Sequence, residues 1–265
     1  RKLARERMLR QQQRRAQQAH KARWITIVAV ICCVVVGLGV GGFFAFAGSG
    51  GSKAAAVSST SSATPSASAS ASASTQAEPA TTCGYTASGT AARNVGLPPA
   101  KPDYKAGYLA TIHTNRGDVV IALLNSKATC TVNSFVYLAA KKYFNATPCR
   151  RLTTIGPFVL HCGDPTGTGS GGPGYKFNSE NLAGAKYTQG TVAMENSGAG
   201  TNGSQFFIVY KNSTLAPSYT PFGEVVKGLG IIQNVAKAGT DNANGSGDGH
   251  PKEKVVIESV TIKKT

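Results

Sequence analysis

The chain from about Lys101 onward predicts a mainly β domain, a closed eight-stranded antiparallel β-barrel capped by two α-helices. Three observations carry this. Short runs that alternate apolar and polar residues recur between Gly, Pro and Asn breaks, as half-buried strands do. A hairpin signal opens the series. Two stretches have the 3.6-residue periodicity of a helix. The 165 residues involved are enough to bury a stable core.

Taken in order, Tyr108–Thr114 (YLATIHT) and Asp118–Leu123 (DVVIAL) read as two strands around the turn Asn115-Arg116-Gly117. Thr131–Tyr143 reads as a helix. Val132, Phe135, Val136 and Ala139 fall at i, i+3, i+4 and i+7, with Thr129 or Thr131 where an N-cap belongs. Short strands follow at Arg150–Thr153, Phe158–Cys162, Thr191–Glu195, Gln205–Tyr210 and Pro221–Val226. Gly230–Ala238 reads as the second helix, and Val255–Ile262 alternates as a last strand.

The remaining sequence divides by composition. Residues 1–24 are a basic cytoplasmic segment, and the first 23 of them hold nine Lys or Arg and one Glu. They supply about half of the net charge of +16, and no basic run longer than a pair follows, which argues against nucleic acid as a partner. Ile25–Ala47 is apolar and uncharged over 23 residues, long enough for a transmembrane helix. The basic flank orients it with its N-terminus in the cytoplasm and the later domain outside the cell membrane. Ala45-Phe46-Ala47 is a rival signal, a cleavage site for a secretory leader. Residues 48–100 form a Ser/Ala/Thr-rich linker that cannot bury enough apolar surface to fold, with Thr81–Pro99 as a transition that Cys83 would pin. Residues 101–265 are the globular domain.

Cys32 and Cys33 lie in the apolar run. The other four cysteines, Cys83, Cys130, Cys149 and Cys162, suit two disulfides in an exported domain, with three connectivities open and buried thiols as the alternative. If the strands bearing Cys149 and Cys162 are adjacent, those two pair and leave Cys83 for Cys130. The four do not form the paired knuckles of a zinc site, so no metal or other cofactor is expected. Two glycine-rich stretches resemble phosphate loops. Gly167–Gly174 (GTGSGGPG) lacks the following Gly-Lys-Ser/Thr. Gly198–Gly203 (GAGTNG) precedes the strand-like QFFIVY rather than a helix. Both read better as turns that bring backbone close to a peptide.

Four motifs then occur in a telling order: GDP at Gly163–Pro165, GGPGYKF at Gly171–Phe177, TNGSQFF at Thr201–Phe207 and FGEVV at Phe222–Val226. With them the chain from about Lys105 to Thr265 resembles a cyclophilin-type peptidyl-prolyl cis–trans isomerase, in a membrane-anchored bacterial, actinobacterial-like form. The resemblance implies binding of proline-containing polypeptides and rotation about X–Pro bonds in exported proteins. That rotation faces a barrier of about 18–20 kcal/mol, set by the partial double bond. A fixed cation that donates to the imide nitrogen stabilises the twisted state more than the planar one, and no covalent intermediate is needed.

By the same resemblance Arg151 is that cation. The family usually has Phe-His-Arg where this chain has Cys149-Arg150-Arg151. Phe158, Phe207 and Leu215 would form the pocket for the proline ring, with Val159 where Met is common. Gln205 and Asn196 would bond the substrate backbone. His161 stands where the family usually has Gln, and an imidazole there is expected to change protonation near neutral pH. Glu195 replaces a small Ala, and Tyr219 falls where many members have His. A cyclosporin-type inhibitor would use the same pocket, weakened by Leu215 in place of Trp. The alternative is a catalytically weak proline-peptide-binding module of the cell envelope, which His161, Glu195 and Leu215 favour.

Overall fold

The computed structural model describes residues 78–265. The basic segment at 1–24, the apolar run at 25–47 and the linker as far as residue 77 lie outside the described residues. Among those described, no helix is long and apolar enough to cross a membrane.

The elements are, in chain order, β1 (Thr86–Ala87), β2 (Tyr108–Thr114), β3 (Gly117–Leu123), α1 (Thr129–Ala140), β4 (Thr147–Pro148), β5 (Arg151–Thr153), β6 (Val159–Cys162), β7 (Tyr175–Lys176), β8 (Thr191–Met194), β9 (Phe206–Val209), β10 (Pro221–Lys227), α2 (Leu229–Ala238), β11 (Asp248–Gly249) and β12 (Val256–Lys264). The hairpin forms where its signal lies. β2 and β3 pair from Tyr108↔Leu123 to Thr114↔Gly117, so the turn itself is Asn115-Arg116.

One curled antiparallel sheet runs in the order β11-β5-β6-β9-β8-β10-β3-β2-β12-β4. It holds ten strands rather than the eight of the expected closed barrel, and no ladder joins its β11 and β4 ends. The chain crosses that gap instead. β4 pairs with β12, then Cys149 and Arg150 lead straight into β5, which pairs with β6. Cys149 N also donates to Val255 O at 2.9 Å. The extra strands β4 and β11 are two-residue bridges, too short for any alternation to be read from sequence.

The concave side of the sheet is filled with apolar side chains. Phe135, Phe144, Phe206 and Phe222 meet there with ring centroids 5.1 to 6.3 Å apart in edge-on and tilted geometries. α1 turns Val132, Phe135 and Ala139 into this core as its periodicity predicts, joined by Leu138, while Val136 is half-buried. Its N-terminus differs from expectation. Neither Thr129 nor Thr131 caps it. The Glu180 carboxylate, fifty residues away, accepts from Cys130 N at 3.0 Å and from Thr131 N and Oγ1 at 2.7 Å each. A tertiary carboxylate thus takes the orphan donors and complements the helix dipole.

The segment before the barrel is also part of the fold, although its composition assigns it to the linker. Disulfides join Cys83 to Cys130 and Cys149 to Cys162. The first holds a strap against the domain. Tyr85 packs edge-on to Tyr175 and Phe177 at 5.6 and 5.5 Å, and its hydroxyl donates to Cys130 O at 2.7 Å. β1 pairs with β7. Ser88 N and Ala92 N donate to Gly174 O and Gly172 O at 2.9 and 2.8 Å. Arg93 Nη1 donates to Tyr143 O at 2.7 Å. A Ser/Ala/Thr-rich stretch with little apolar surface is ordered here by one covalent link and borrowed backbone partners.

Peptide mapping without reduction is expected to recover Cys83–Cys130 and Cys149–Cys162. Replacing Cys83 and Cys130 together by Ala should lower the unfolding free energy by about 2–4 kcal/mol, as loss of a long-loop crosslink does. Amide exchange should rise first at Ser88 and Ala92. Unchanged protection there would mean that the strap holds without its disulfide.

Candidate active site

Successive side chains on a strand point to opposite faces of a sheet. Across β5, β6, β9 and β8 the pairing therefore sorts residues into two rows. Leu152, Leu160, Ile208 and Val192 are mutual partners and fill the core. Arg151, His161, Phe207 and Ala193 are the next set of partners and face outward. Val159, opposite both Thr153 and Val209, extends that outer row. A second apolar cluster of Val159, Tyr187, Ala193, Phe207 and Val209 forms there, with Leu215 and Tyr219 packed against it.

This outer face carries a cleft of about 260 Å³. Of the residues singled out in the sequence, Arg151, Val159, His161, Glu195, Phe207, Leu215 and Tyr219 line it. Phe207 forms its floor, with the Tyr219, His161 and Tyr187 rings 5.4, 5.6 and 6.3 Å away. Thr153 and Pro157 complete the wall and carry no signal in the sequence beyond their neighbours.

Phe158 stands apart from this cleft. It precedes Val159 by one residue, so the alternation turns it away from Val159 and His161. Its ring lies 6.0 Å from Tyr210, and Lys211 Nζ sits 4.6 Å over its face. Pro157 lines the cleft and Phe158 does not.

Gln205 and Asn196 lie in a second, larger cleft of about 570 Å³. Glu195 borders both clefts. Gln205 Nε2 donates to Gly169 O and Gly171 O at 3.1 and 2.9 Å, and Asn196 Nδ2 donates to Ser218 O at 2.9 Å. The glycine-rich loop here is wound around an anion that the chain itself supplies. It wraps the Asp164 carboxylate, which accepts from Thr166 N, Thr166 Oγ1, Gly169 N and Gly171 N at 2.6 to 3.2 Å. Gly163, at φ +88°, lets the end of β6 approach Ser204 and Phe206, where a β-carbon would collide.

Arg151 is held by a residue that sequence reading missed. Its Nε and Nη2 donate to Asp248 Oδ1 and Oδ2 at 2.8 and 2.7 Å, a parallel two-point fork. Asp248 lies 97 residues downstream, on β11, whose pairing with β5 sets Asp248 opposite Thr153 and Gly249 opposite Leu152. Asn244 Nδ2 also donates to Asp248 Oδ1 at 3.2 Å. The hydrogen bond to Asp248 raises the Arg151 pKa, and the same bond holds the Asp248 carboxyl below its usual range. Asp248 sits in the polar, glycine-rich stretch NANGSGDGH, which reads as a turn and gives no sign of a partner so distant.

His161 is 7% exposed. Burial, then the charges of Arg151 and Arg150, push its pKa down from 6.5 to about 3. The expected change of protonation near neutral pH is therefore corrected: the ring is neutral throughout that range. Its Nδ1 faces Glu195 Oε2 at 3.5 Å, so this contact pairs a neutral imidazole with a carboxylate rather than two ions. Burial raises the Glu195 pKa, against the pull of Arg151 and Arg150. No group of His, Cys, Asp and Glu suited to a metal occurs among the described residues.

Residues 109–262 match the family model described as cyclophilin type peptidyl-prolyl cis-trans isomerase/CLD. Among curated proteins, the chain is 43% identical over 199 residues to a probable peptidyl-prolyl cis-trans isomerase B of Mycobacterium leprae, covering 68% of this chain and 66% of that protein. It is 45% identical over 163 residues to the corresponding protein of Mycobacterium tuberculosis, covering 56% and 52%. Peptidyl-prolyl cis-trans isomerase A of Mycobacterium tuberculosis is 41% identical over 170 residues, covering 58% and 91%. The chain thus spans about half to two-thirds of the length of the first two relatives. A crystal structure of a Cryptosporidium parvum cyclophilin type peptidyl-prolyl cis-trans isomerase superposes with a TM-score of 0.53 at 29% identity, covering 60% of this chain and 99% of that one. A second structure of that protein, in the presence of the dipeptide Ala-Pro, gives 0.52 at the same identity. With the motifs, the curled sheet and a match over more than half its length, the chain belongs to the cyclophilin-type peptidyl-prolyl cis-trans isomerase family.

Proposed function

We propose that this chain is a peptidyl-prolyl cis–trans isomerase that binds X–Pro segments of exported polypeptides outside the cytoplasmic membrane, anchored through residues 25–47. The anchoring rests on the apolar run and its basic flank, and the activity on the family and the outer cleft. One observation carries the reading most directly: a guanidinium fixed in orientation at the edge of an apolar floor.

The proline ring rests on Phe207, with Val159 and Leu215 beside it. A ring without polar atoms gains by leaving water for such a surface. Arg151 stands above it. Of the five N–H groups of a guanidinium, Asp248 engages two, which leaves three for other partners. As the C–N bond twists, the imide nitrogen regains its lone pair and accepts from one of these. The planar ground state offers no such acceptor, so the bond forms only where it lowers the barrier. Asp248 is a positioning residue: it spares the guanidinium the cost of being oriented at the moment of reaction. Neutral His161 supports the apolar floor without adding a positive charge to those of Arg151 and Arg150. A cyclosporin-type inhibitor would meet this same cleft, with Leu215 offering less surface than an indole.

Arg151→Ala should lower kcat/KM by about a hundredfold or more, the scale of one preorganised donor. Arg151→Lys should recover part of this, since an ammonium keeps the charge and loses the planar fork. Full activity in a folded Arg151→Ala protein would end the arginine mechanism.

Asp248→Asn should lower kcat/KM by about tenfold, mainly through kcat, with the Arg151 Nε NMR signal shifted and broadened. Asp248→Glu should restore part of both. A normal Arg151 signal with reduced activity would show that Asp248 acts otherwise.

The imidazole signals of His161 should not titrate between about pH 8 and pH 5. Its folded pKa lies below the unfolded value of 6.5, so the stability it contributes is complete above 6.5 and is lost as pH falls toward about 3. His161→Gln should flatten that part of the stability profile. A His161 titration near pH 6.5 in the folded protein would contradict the burial argument.

A further inference from the structure

The strand end that carries Arg151 has few bonds of its own. β5 is three residues long, and Arg151 is its first. Its ladder to β6 starts at Arg151↔His161, and its ladder to β11 reaches only Thr153 and Leu152. Before it, Cys149 and Arg150 cross the open seam of the sheet, where no ladder pairs them among the described residues. A strand end so sparsely bonded is the first to open. β6, in contrast, pairs along its whole length with β9, from Val159↔Val209 to Cys162↔Phe206.

The Cys149–Cys162 disulfide ties the weak end of β5 to this firm strand. Cys149 lies two residues before Arg151, and Cys162 directly follows His161, the partner of Arg151. The segment so closed contains Arg151, Thr153, Pro157, Val159 and His161, five of the nine residues that line the proline cleft. Both cysteines are 4% exposed and belong to the main core. A thiol in solvent reaches the sulfurs only when this region opens, so the bond, once made, persists. Asp248 orients the guanidinium, whereas the crosslink fixes the backbone from which it projects.

We propose that the Cys149–Cys162 disulfide is a positioning crosslink for the isomerase reaction, set by oxidation. It holds the Arg151 backbone against β6, and the chain reaches full activity only once both thiols are oxidised. The proposal rests on the isomerase reading of the cleft and names a regulation of that same site. In the oxidation step the two thiols lose two protons and two electrons as the S–S bond forms. An incoming disulfide accepts them and leaves as two thiols. Activity is thereby matched to an oxidising compartment.

The test uses the full chain and an Ala-Pro peptide whose cis–trans exchange is followed by NMR, which gives kcat and KM. Cys149→Ala/Cys162→Ala should lower kcat about tenfold with little change in KM, the cost of a displaced catalytic group. The Arg151 Nε signal should broaden. Leu138→Ala, in the core under α1, supplies a loss of stability away from the cleft and should keep the parent kcat. The parent refolded with a thiol reductant, with Cys149 and Cys162 shown free by mass spectrometry, should match the Ala pair and regain kcat on oxidation by a small disulfide. The same cycle should leave the Ala pair unchanged. Cys149→Val/Cys162→Val refills the space of the sulfurs if the Ala pair does not fold. An undiminished kcat in either folded pair would overturn the proposal, as would an equal loss in Leu138→Ala or no gain on oxidation. Failure of both pairs to fold would also overturn it, since the crosslink would then serve the fold and not Arg151. A parent without turnover would overturn the isomerase reading alone, because the Arg151 signal reads the positioning without it.

Discussion

The alternation of side chains across β5, β6, β9 and β8 is the constraint on which both stability and site depend. One register serves two surfaces. The inner row seals the core with Leu152, Leu160, Ile208 and Val192, and the outer row sets Arg151, His161 and Phe207 side by side. A slip of one residue in β5 would bury the Arg151 guanidinium and expose Leu152, and a slip in β6, β9 or β8 would likewise exchange core and cleft residues. The core therefore enforces the geometry of the cleft. Phe158 shows how strict this is: one place before Val159, it lies on another surface and touches Tyr210 and Lys211 instead.

Electrostatics in the outer row follow from crowding two arginines against a buried ring. Arg151 has its carboxylate in Asp248. His161 has no comparable partner, since Glu195 reaches only to 3.5 Å and is itself destabilised as an anion by burial. A proton on His161 would add a third positive charge in a place shielded from water, so the ring stays neutral. The cleft thus sets one carboxylate-held cation, Arg151, beside an apolar floor. Substituting His for a neutral amide changes the shape of the wall more than its charge.

The strap shows how a segment without a core of its own becomes structure. Its apolar content is Tyr85 and a few smaller side chains, far too little to offset chain entropy. The Cys83–Cys130 link closes the loop covalently, and the backbone of Gly172–Tyr175 supplies hydrogen-bond partners. Those glycines leave room for the strap to approach, since Gly174 already meets Ala91 where a β-carbon would stand. The consequence reaches the second cleft, whose outer wall the strap provides.

Much of the domain follows from the sequence by itself. The hairpin, both helices and the principal strands lie within a few residues of where alternation and 3.6-residue periodicity put them, because those patterns record which face of each element is buried. Arg151, His161 and Phe207 are marked by motifs, which are local in the chain. Tertiary structure decided what depends on residues far apart. β4 and β11 are two-residue bridges made by partners, Glu180 caps α1 from fifty residues away, and Asp248 grips Arg151 across 97. The pKa of His161 belongs to the same class, since desolvation and nearby charge are properties of a place and not of a residue type. Pattern along a chain reports what each residue turns toward the core; only the folded chain brings together the charges and hydrogen-bond partners that give those residues their chemistry.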